Sequence, residues 1–287
     1  MVESFETPVV VGVDGSALSL TAVRLAAKEA VLRQRPLRIV HAFLWPRYHV
    51  PDYGALRGEA ERIVNEAMAV AAAGAPRSPV SGHVVDGEPG TVLRRECDSA
   101  SVLVLGPSNP SRRFLPVDSV VMQVAARVGC PVLVAYPARL PGGPVLVGVD
   151  GSPDSVAAVR FGLTEAERRD AELVAVHAER DAQTGEDALV AALAQVDEEG
   201  TQVKIHRRWI RGDPTEALVE ESTTGQLIAV GARGVEGRAR TLLGTASQAL
   251  LRRAFCPVAI VHATRSGSAP LVADARPRHG TSVAGTP

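Results

Sequence analysis

Val11-Gly-Val-Asp-Gly-Ser16 recurs letter for letter as Val147-Gly-Val-Asp-Gly-Ser152, 136 residues further along. Each copy closes a β-branched run and opens a stretch of helical pattern, so the same strand end is written twice. Downstream, Ile39-Val-His41-Ala42 matches Ala175-Val-His177-Ala178 at the same offset. Gly87-Glu-Pro89 then matches Gly212-Asp-Pro214, and Cys130-Pro-Val132 matches Cys256-Pro-Val258, at offsets of 125 and 126. The order is kept, so the chain is a tandem duplication. The fall in offset places about eleven extra residues in the first copy, between His41 and Gly87. They fall around Trp45-Pro-Arg-Tyr-His-Val-Pro-Asp-Tyr53, which carries one of the two Trp and two of the three Tyr.

Within each copy, short β-branched runs alternate with longer amphipathic stretches. In the second they are Val145–Val149, Glu172–His177, Val203–Trp209, Leu227–Gly231 and Val258–His262. Runs such as Val102-Leu-Val-Leu105 are apolar on consecutive residues, as strands covered on both faces require. The reading is an α/β fold of two tandem doubly wound domains, each a five-stranded parallel sheet flanked by helices. Residues 1–138 form the first domain, 139–144 a Pro- and Gly-interrupted linker, and 145–263 the second. Residues 264–287, rich in Ser, Gly, Pro and Arg, are expected to be a disordered tail. The 287 residues divide into two copies of ordinary domain size.

Thirty-one Lys and Arg balance 32 Asp and Glu, for a net charge of -1. That excludes the positive field on which non-specific DNA or RNA binding draws, and an aromatic content of 3% leaves few stacking platforms. No apolar run approaches the ~20 residues of a membrane helix, and the N-terminus has no secretory pattern. The expected location is cytoplasmic. Cys130 and Cys256 read as small buried hydrophobes, and Cys97, without a partner in the sequence, as structural. His41 and His177 read as hydrogen-bonded structural residues. No CxxC or HxxxH spacing argues for a metal.

In a doubly wound sheet, ligands bind beyond the carboxyl ends of strands where the strand order reverses. Asp150 lies at one such end, followed by Ser152 as a helix N-cap and Pro153 at the first helical position. After the fourth strand comes Gly231-Ala-Arg-Gly234, then Gly244-Thr245-Ala246-Ser247 where the next helix begins. Unpaired N–H groups at such a start favour an anion by roughly 0.3–1 kcal/mol, with a further donor in the hydroxyl of Thr245 or Ser247. Neither the P-loop nor the dinucleotide pattern is present.

Gly231-x2-Gly234-x9-Gly244-Thr245, with the Val-Gly-Val-Asp-Gly-Ser strand end before it and Cys256-Pro-Val258 after it, resembles the ATP-binding branch of the universal stress protein family. The resemblance spans both copies. It implies a cofactor site for ATP, with or without Mg2+, made by Gly148, Val149, Asp150, Ala178, Gly231, Gly234, Gly244, Thr245 and Ala246. By that likeness Asp150 holds the ribose or adenine side, and Val149 and Ala178 line the adenine. Gly231 and Gly234 approach the ribose and phosphates, and Gly244, Thr245 and Ala246 donate to the phosphates. The first copy departs from the pattern, with Asn109 and Asp118 in place of the second and third glycines. A carboxylate about 4 Å from a phosphate costs on the order of 4 kcal/mol, so the first site is expected to be degenerate.

The function expected is an adenine-nucleotide-binding stress or dormancy regulator. The rivals are an interaction module without nucleotide, and a weak ATPase or adenylyl-transferring enzyme. No general base or Walker-type lysine recommends an enzyme. The resemblance also implies that the copies pair through their last strands, Val132–Tyr136 and Val258–His262. A homodimer through those strand edges and an unidentified protein partner are expected, with no nucleic-acid or membrane partner.

Overall fold

A computed structural model of the chain describes residues 7–46, 52–107, 119–179, 185–194, 201–234 and 243–263. The first half runs β1 (Val9–Gly12), α1 (Ala17–Arg33), β2 (Leu37–Phe43), α2 (Tyr53–Gly74), β3 (Val80–Asp86), α3 (Pro89–Cys97), β4 (Val102–Leu105), α4 (Val120–Ala125) and β5 (Val132–Val134). The second repeats the order with β6 (Val145–Gly148), α5 (Pro153–Arg168), β7 (Leu173–Glu179), α6 (Gly185–Ala194), β8 (Ile205–Arg211), α7 (Pro214–Glu221), β9 (Leu227–Gly231), α8 (Thr245–Arg253) and β10 (Val258–Val261). These last five strands begin and end within two residues of the runs read from the sequence. Asn109, Asp118 and the expected tail lie outside the described residues.

The repeated motifs are turn and cap chemistry. Gly15 and Gly151 both sit at φ +81°, a conformation that costs a glycine little, and turn the chain out of β1 and β6. Ser16 and Ser152 follow as N-caps, accepting from the amides of Ser19 and Ser155 at 3.1 and 3.2 Å. In the second motif Gly87 and Gly212 also have positive φ. Glu88 and Asp213 cap α3 and α7, each with proline in the first turn. The connection from β2 to β3, residues 44–79, is eleven residues longer than that from β7 to β8, residues 180–204. Its Trp45 packs edge-on against Phe43 and tilted against Tyr53, with ring centroids 5.0 and 5.8 Å apart.

All ten strands form one sheet in the order β3-β2-β1-β4-β5-β10-β9-β6-β7-β8. Pairing is parallel within each half, and only β5 and β10 meet antiparallel, with Leu133 opposite Ala259. The copies therefore join through their last strands inside one chain. This corrects the expected homodimer edge: β5 also pairs with β4, and β10 with β9, so neither has a free side. The outer strands are β3 and β8. Apolar side chains alternate between two core layers. Val9 and Val11 join the layer under α1, α2, α5 and α6, while Val10 joins the one under α3, α4, α7 and α8.

Contacts across the seam follow a pseudo-two-fold. The Tyr136 hydroxyl donates to the carbonyl of Leu251 at 2.5 Å. At the matching positions, Nε2 of His262 lies 2.8 Å from the carbonyl of Ala125. Burial pushes the Tyr136 phenol up to about 12. On the opposite face, the ends of α1 and α5 meet in a buried ring of charge. Arg33 binds Glu29 at 3.2 Å and Glu165 at 2.6 Å, and Arg169 binds both Glu165 and Glu29. Each member repeats at the 136-residue offset, and the side chains are 0% exposed for both glutamates and 5% for both arginines.

One residue breaks the symmetry: Arg168, where the first half has Leu32, also binds Glu165 at 2.9 Å. Burial pushes the Glu29 carboxyl up and the Glu165 charge adds to it, against Arg169 and Arg33. Burial acts on Glu165 too, but Arg33, Arg169 and Arg168 together outweigh it and hold its carboxyl low. The stabilisation linked to Glu165 is thus present above the ordinary glutamate value and lost as pH falls through the lowered one. Glu29, shifted the other way, has the opposite sign. Arg168→Leu is expected to move the midpoint of acid unfolding to higher pH. An unchanged midpoint in a circular-dichroism titration would show that Arg168 does not set it.

Cys97 and Cys130 form a disulfide, with Cα atoms 5.6 Å apart, tying the end of α3 to the start of β5. This corrects the reading of Cys97 as unpartnered and of Cys130 as a plain buried hydrophobe: the partners are 33 residues apart and only the crossover brings them together. In the second half Ser222 stands where Cys97 does. Its hydroxyl donates to the carbonyl of Val219 at 2.6 Å and accepts from the amide of Phe255 at 3.0 Å. Cys256 is accordingly a free, buried thiol, pushed by burial up to about 12.

Candidate functional site

The sheet order reverses between β6 and β9, and their carboxyl ends carry the sequence-predicted residues. Gly148 ends β6, and a Cβ there would come within 3.0 Å of Leu218 and Val230, so its small size admits α7. Val149 is buried in the core. Its amide donates to the carbonyl of Val176 at 2.8 Å, and its own carbonyl is 2.7 Å from Nδ1 of His177. His41 and Val13 repeat that contact at 2.9 Å, giving both histidines the structural bonds read from the sequence. Ala178, next along β7, is half-buried.

Asp150 is exposed, and one of its oxygens accepts from the amide of Ser152 at 3.0 Å. A Cβ on Gly234 would lie 2.4 Å from the other oxygen. Asp150 and Gly234, 84 positions apart, are therefore packed against each other at the ends of β6 and β9. Gly244 closes the third side: a Cβ on it would meet only ordinary contacts, with the amide nitrogen of Gly234 at 3.5 Å. Its amide donates to the carbonyl of Ala232 at 2.8 Å, bending the loop back on itself. Gly231 differs from these two. Its missing Cβ would strike the backbone of Asp154 and Ser155 at 2.7 and 2.9 Å, so packing of α5 on β9 already requires glycine. Gly106 meets the backbone of Leu18 and Ser19 in the same way in the first half.

At the start of α8 no side chain caps Gly244. Elsewhere Ser16, Asp52, Glu88, Ser119, Ser152 and Asp213 each accept an amide of the helix they begin. Thr245, at the first helical position, is exposed, and Ala246 is half-buried. The Ser247 hydroxyl is committed to the carbonyl of Gly231 at 2.7 Å, which removes it as a donor and leaves that role to Thr245. The first half is built otherwise. Ser119 caps α4 by accepting from the amide of Met122 at 3.3 Å. Its Ser16 hydroxyl bonds Asp14 at 2.6 Å. Burial opposes ionisation of Asp14, but the Ser16 hydroxyl and amide outweigh it and hold that carboxyl low.

A family model described as "Universal stress protein family" matches residues 7–135, 143–186 and 178–262. The chain belongs to the universal stress protein family. A universal stress protein of Mycobacterium tuberculosis is 34% identical over 284 residues, covering 88% of this chain and 96% of its own. The fold is shared with a universal stress protein from Archaeoglobus fulgidus, with a TM-score of 0.74 and 18% identity over 90% of this chain and 99% of that one. A universal stress protein solved in complex with cAMP matches 46% of this chain and 99% of its own at 31% identity and a TM-score of 0.39. Among the described residues no helix is long and apolar enough to cross a membrane.

Sequence reasoning missed two parts of the site, the commitment of Ser247 and the engagement of Asp154. The carboxylate of Asp154 accepts from the amide of Arg233 at 3.1 Å and of Ala263 at 2.8 Å. A signal for Asp154 was present, since the repeat places Leu18 at its position in the first half.

Proposed function

We propose that this universal stress protein binds one adenine nucleotide per chain, in the crevice at the ends of β6 and β9 of its second half, and acts as a nucleotide-responsive stress or dormancy regulator. The observation that carries this reading is the uncapped start of α8. Its N–H groups and positive dipole end begin at Gly244, where a Cβ would meet only ordinary contacts, and such a helix start suits an anion. The net charge of -1 supplies no field, so phosphate binding rests on these local donors with the Thr245 hydroxyl. Asp150, across the crevice, suits ribose hydroxyls, and Val149 and Ala178 suit the base. In the first half, Ser119 already occupies the equivalent helix end, which supports a single site.

ATP is the nucleotide that the resemblance to the ATP-binding branch of the family favours. Among the described residues no group of three His, Cys, Asp or Glu side chains could hold a metal alone. Mg2+ would enter as the counter-ion of ATP, with the phosphates among its ligands.

Mass spectrometry of nucleotide released on denaturing the purified protein, with equilibrium dialysis for stoichiometry, tests the reading. One adenine nucleotide per chain is expected. Gly234→Ala drives a methyl into the Asp150 carboxylate and is expected to weaken binding about tenfold or more, through loss of a charged hydrogen bond. Two equivalent sites, or none, would overturn the proposal.

A further inference from the structure

The loop between β9 and α8 is held at its start from several sides. The amide of Ala232 donates to the carbonyl of Val261, and its carbonyl accepts from Gly244, both at 2.8 Å. Arg233 is gripped at both backbone polar groups by the first turn of α5. Its amide donates to Oδ2 of Asp154 at 3.1 Å, and its carbonyl accepts from the Ser152 hydroxyl at 3.2 Å. The other oxygen of Asp154 accepts from the amide of Ala263, where the chain leaves β10. One half-buried carboxylate thus joins three elements, and its place in the first turn of α5 suits its charge. The next residue after Arg233 is Gly234, which faces Asp150.

The carboxylate of the grip has no counterpart in the first half, where Leu18 stands at that position, and the Ser16 hydroxyl donates to Asp14. A repeated fold without the repeated carboxylate separates the needs of folding from that of Asp154. Packing of the helix on the fourth strand is the same in both halves, since Gly106 and Gly231 meet the same two residues of α1 and α5.

We propose that Asp154 is the positioning residue of the nucleotide loop. It fixes the Arg233 peptide so that Gly234 and the start of α8 are set for the phosphates before ligand arrives, and it links that loop to Ala263. This rests on the nucleotide-site reading above. Preorganised donors bind a charged ligand more tightly because the loop does not have to be ordered on binding.

The test uses the full chain with ATP as probe, in Asp154→Leu, the residue of the first half, and Asp154→Asn, which keeps the shape and one acceptor oxygen. Asp154→Leu is expected to weaken ATP about tenfold at a temperature where circular dichroism shows the native fold. It should also speed hydrogen exchange at Arg233 and Ala263 in the nucleotide-free protein. Asp154→Asn is expected to restore protection at one of those two amides and part of the affinity, a partial rescue that loss of bulk stability alone would not produce. ATP affinity in Asp154→Leu equal to that of the parent overturns the positioning role and leaves the site reading standing. A parent chain that binds no ATP overturns both. Equal exchange at Arg233 and Ala263 in parent and variants removes the clamp itself.

Discussion

Glu165→Ala is expected to lower the free energy of unfolding by about 3–5 kcal/mol, because it leaves buried guanidinium groups without their anion. In the native ring each glutamate is shared by Arg33 and Arg169, and all four side chains are almost wholly removed from water. With Glu165 gone, two cations compete for Glu29 alone. At roughly 2–4 °C for each kcal/mol in a chain of this size, the melting temperature should fall by on the order of 10 °C. Replacing all four residues together by Met or Leu is expected to cost little, since the desolvation of the charges disappears with their attraction. The contrast defines the ring as a device for aligning the halves and not as a net source of stability. Glu59→Ala, which breaks the exposed pair with Arg62 on α2, should leave the melting temperature unchanged. A Glu165→Ala protein that melts with the parent in differential scanning calorimetry would show that the ring does not hold α1 against α5.

Reduction of the Cys97–Cys130 bridge is expected to lower stability by about 3–4 kcal/mol, the loop-closure entropy returned to an unfolded chain in which 33 residues are no longer closed. The pair Cys97→Ser and Cys130→Ser should reproduce the loss in urea unfolding. Thiol counting provides an independent check. Unfolded without reductant, the chain should take up one alkyl group, at Cys256; after reduction it should take three. The folded protein should take none within minutes, because the Cys256 thiol is buried and held up to about 12. Three alkyl groups on the unreduced, unfolded chain would exclude the bridge.

The strands of the second half could be read from the sequence to within two residues because β-branched runs and the Gly-Ser and Gly-Asp-Pro caps act locally. The same holds for the loop pattern, since the spacing of Gly234 and Gly244 is legible in the letters. Gly231 shows where letters stop short. The same residue type serves helix packing there, and only the approach of Asp154 and Ser155 distinguishes the two uses. Ser247 and Ser152 are alike in this respect. Both are good helix-start residues, and where their hydroxyls point depends on loop carbonyls 16 and 81 positions away.

By itself the sequence determined the duplication, the parallel doubly wound halves and the glycine pattern of the loop after β9, because these rest on periodicity and on backbone preferences of neighbouring residues. Tertiary structure decided which strand edges are used up, which cysteines meet, how Glu29, Arg33, Glu165 and Arg169 neutralise one another, and that Asp154 grips Arg233. Apart from the i,i+4 pairs Glu29–Arg33 and Glu165–Arg169, each of these joins residues tens to more than a hundred positions apart and has no local energetic signature. The charges at the ends of α1 and α5 become a buried ring only when the second copy of the same helix is packed against the first.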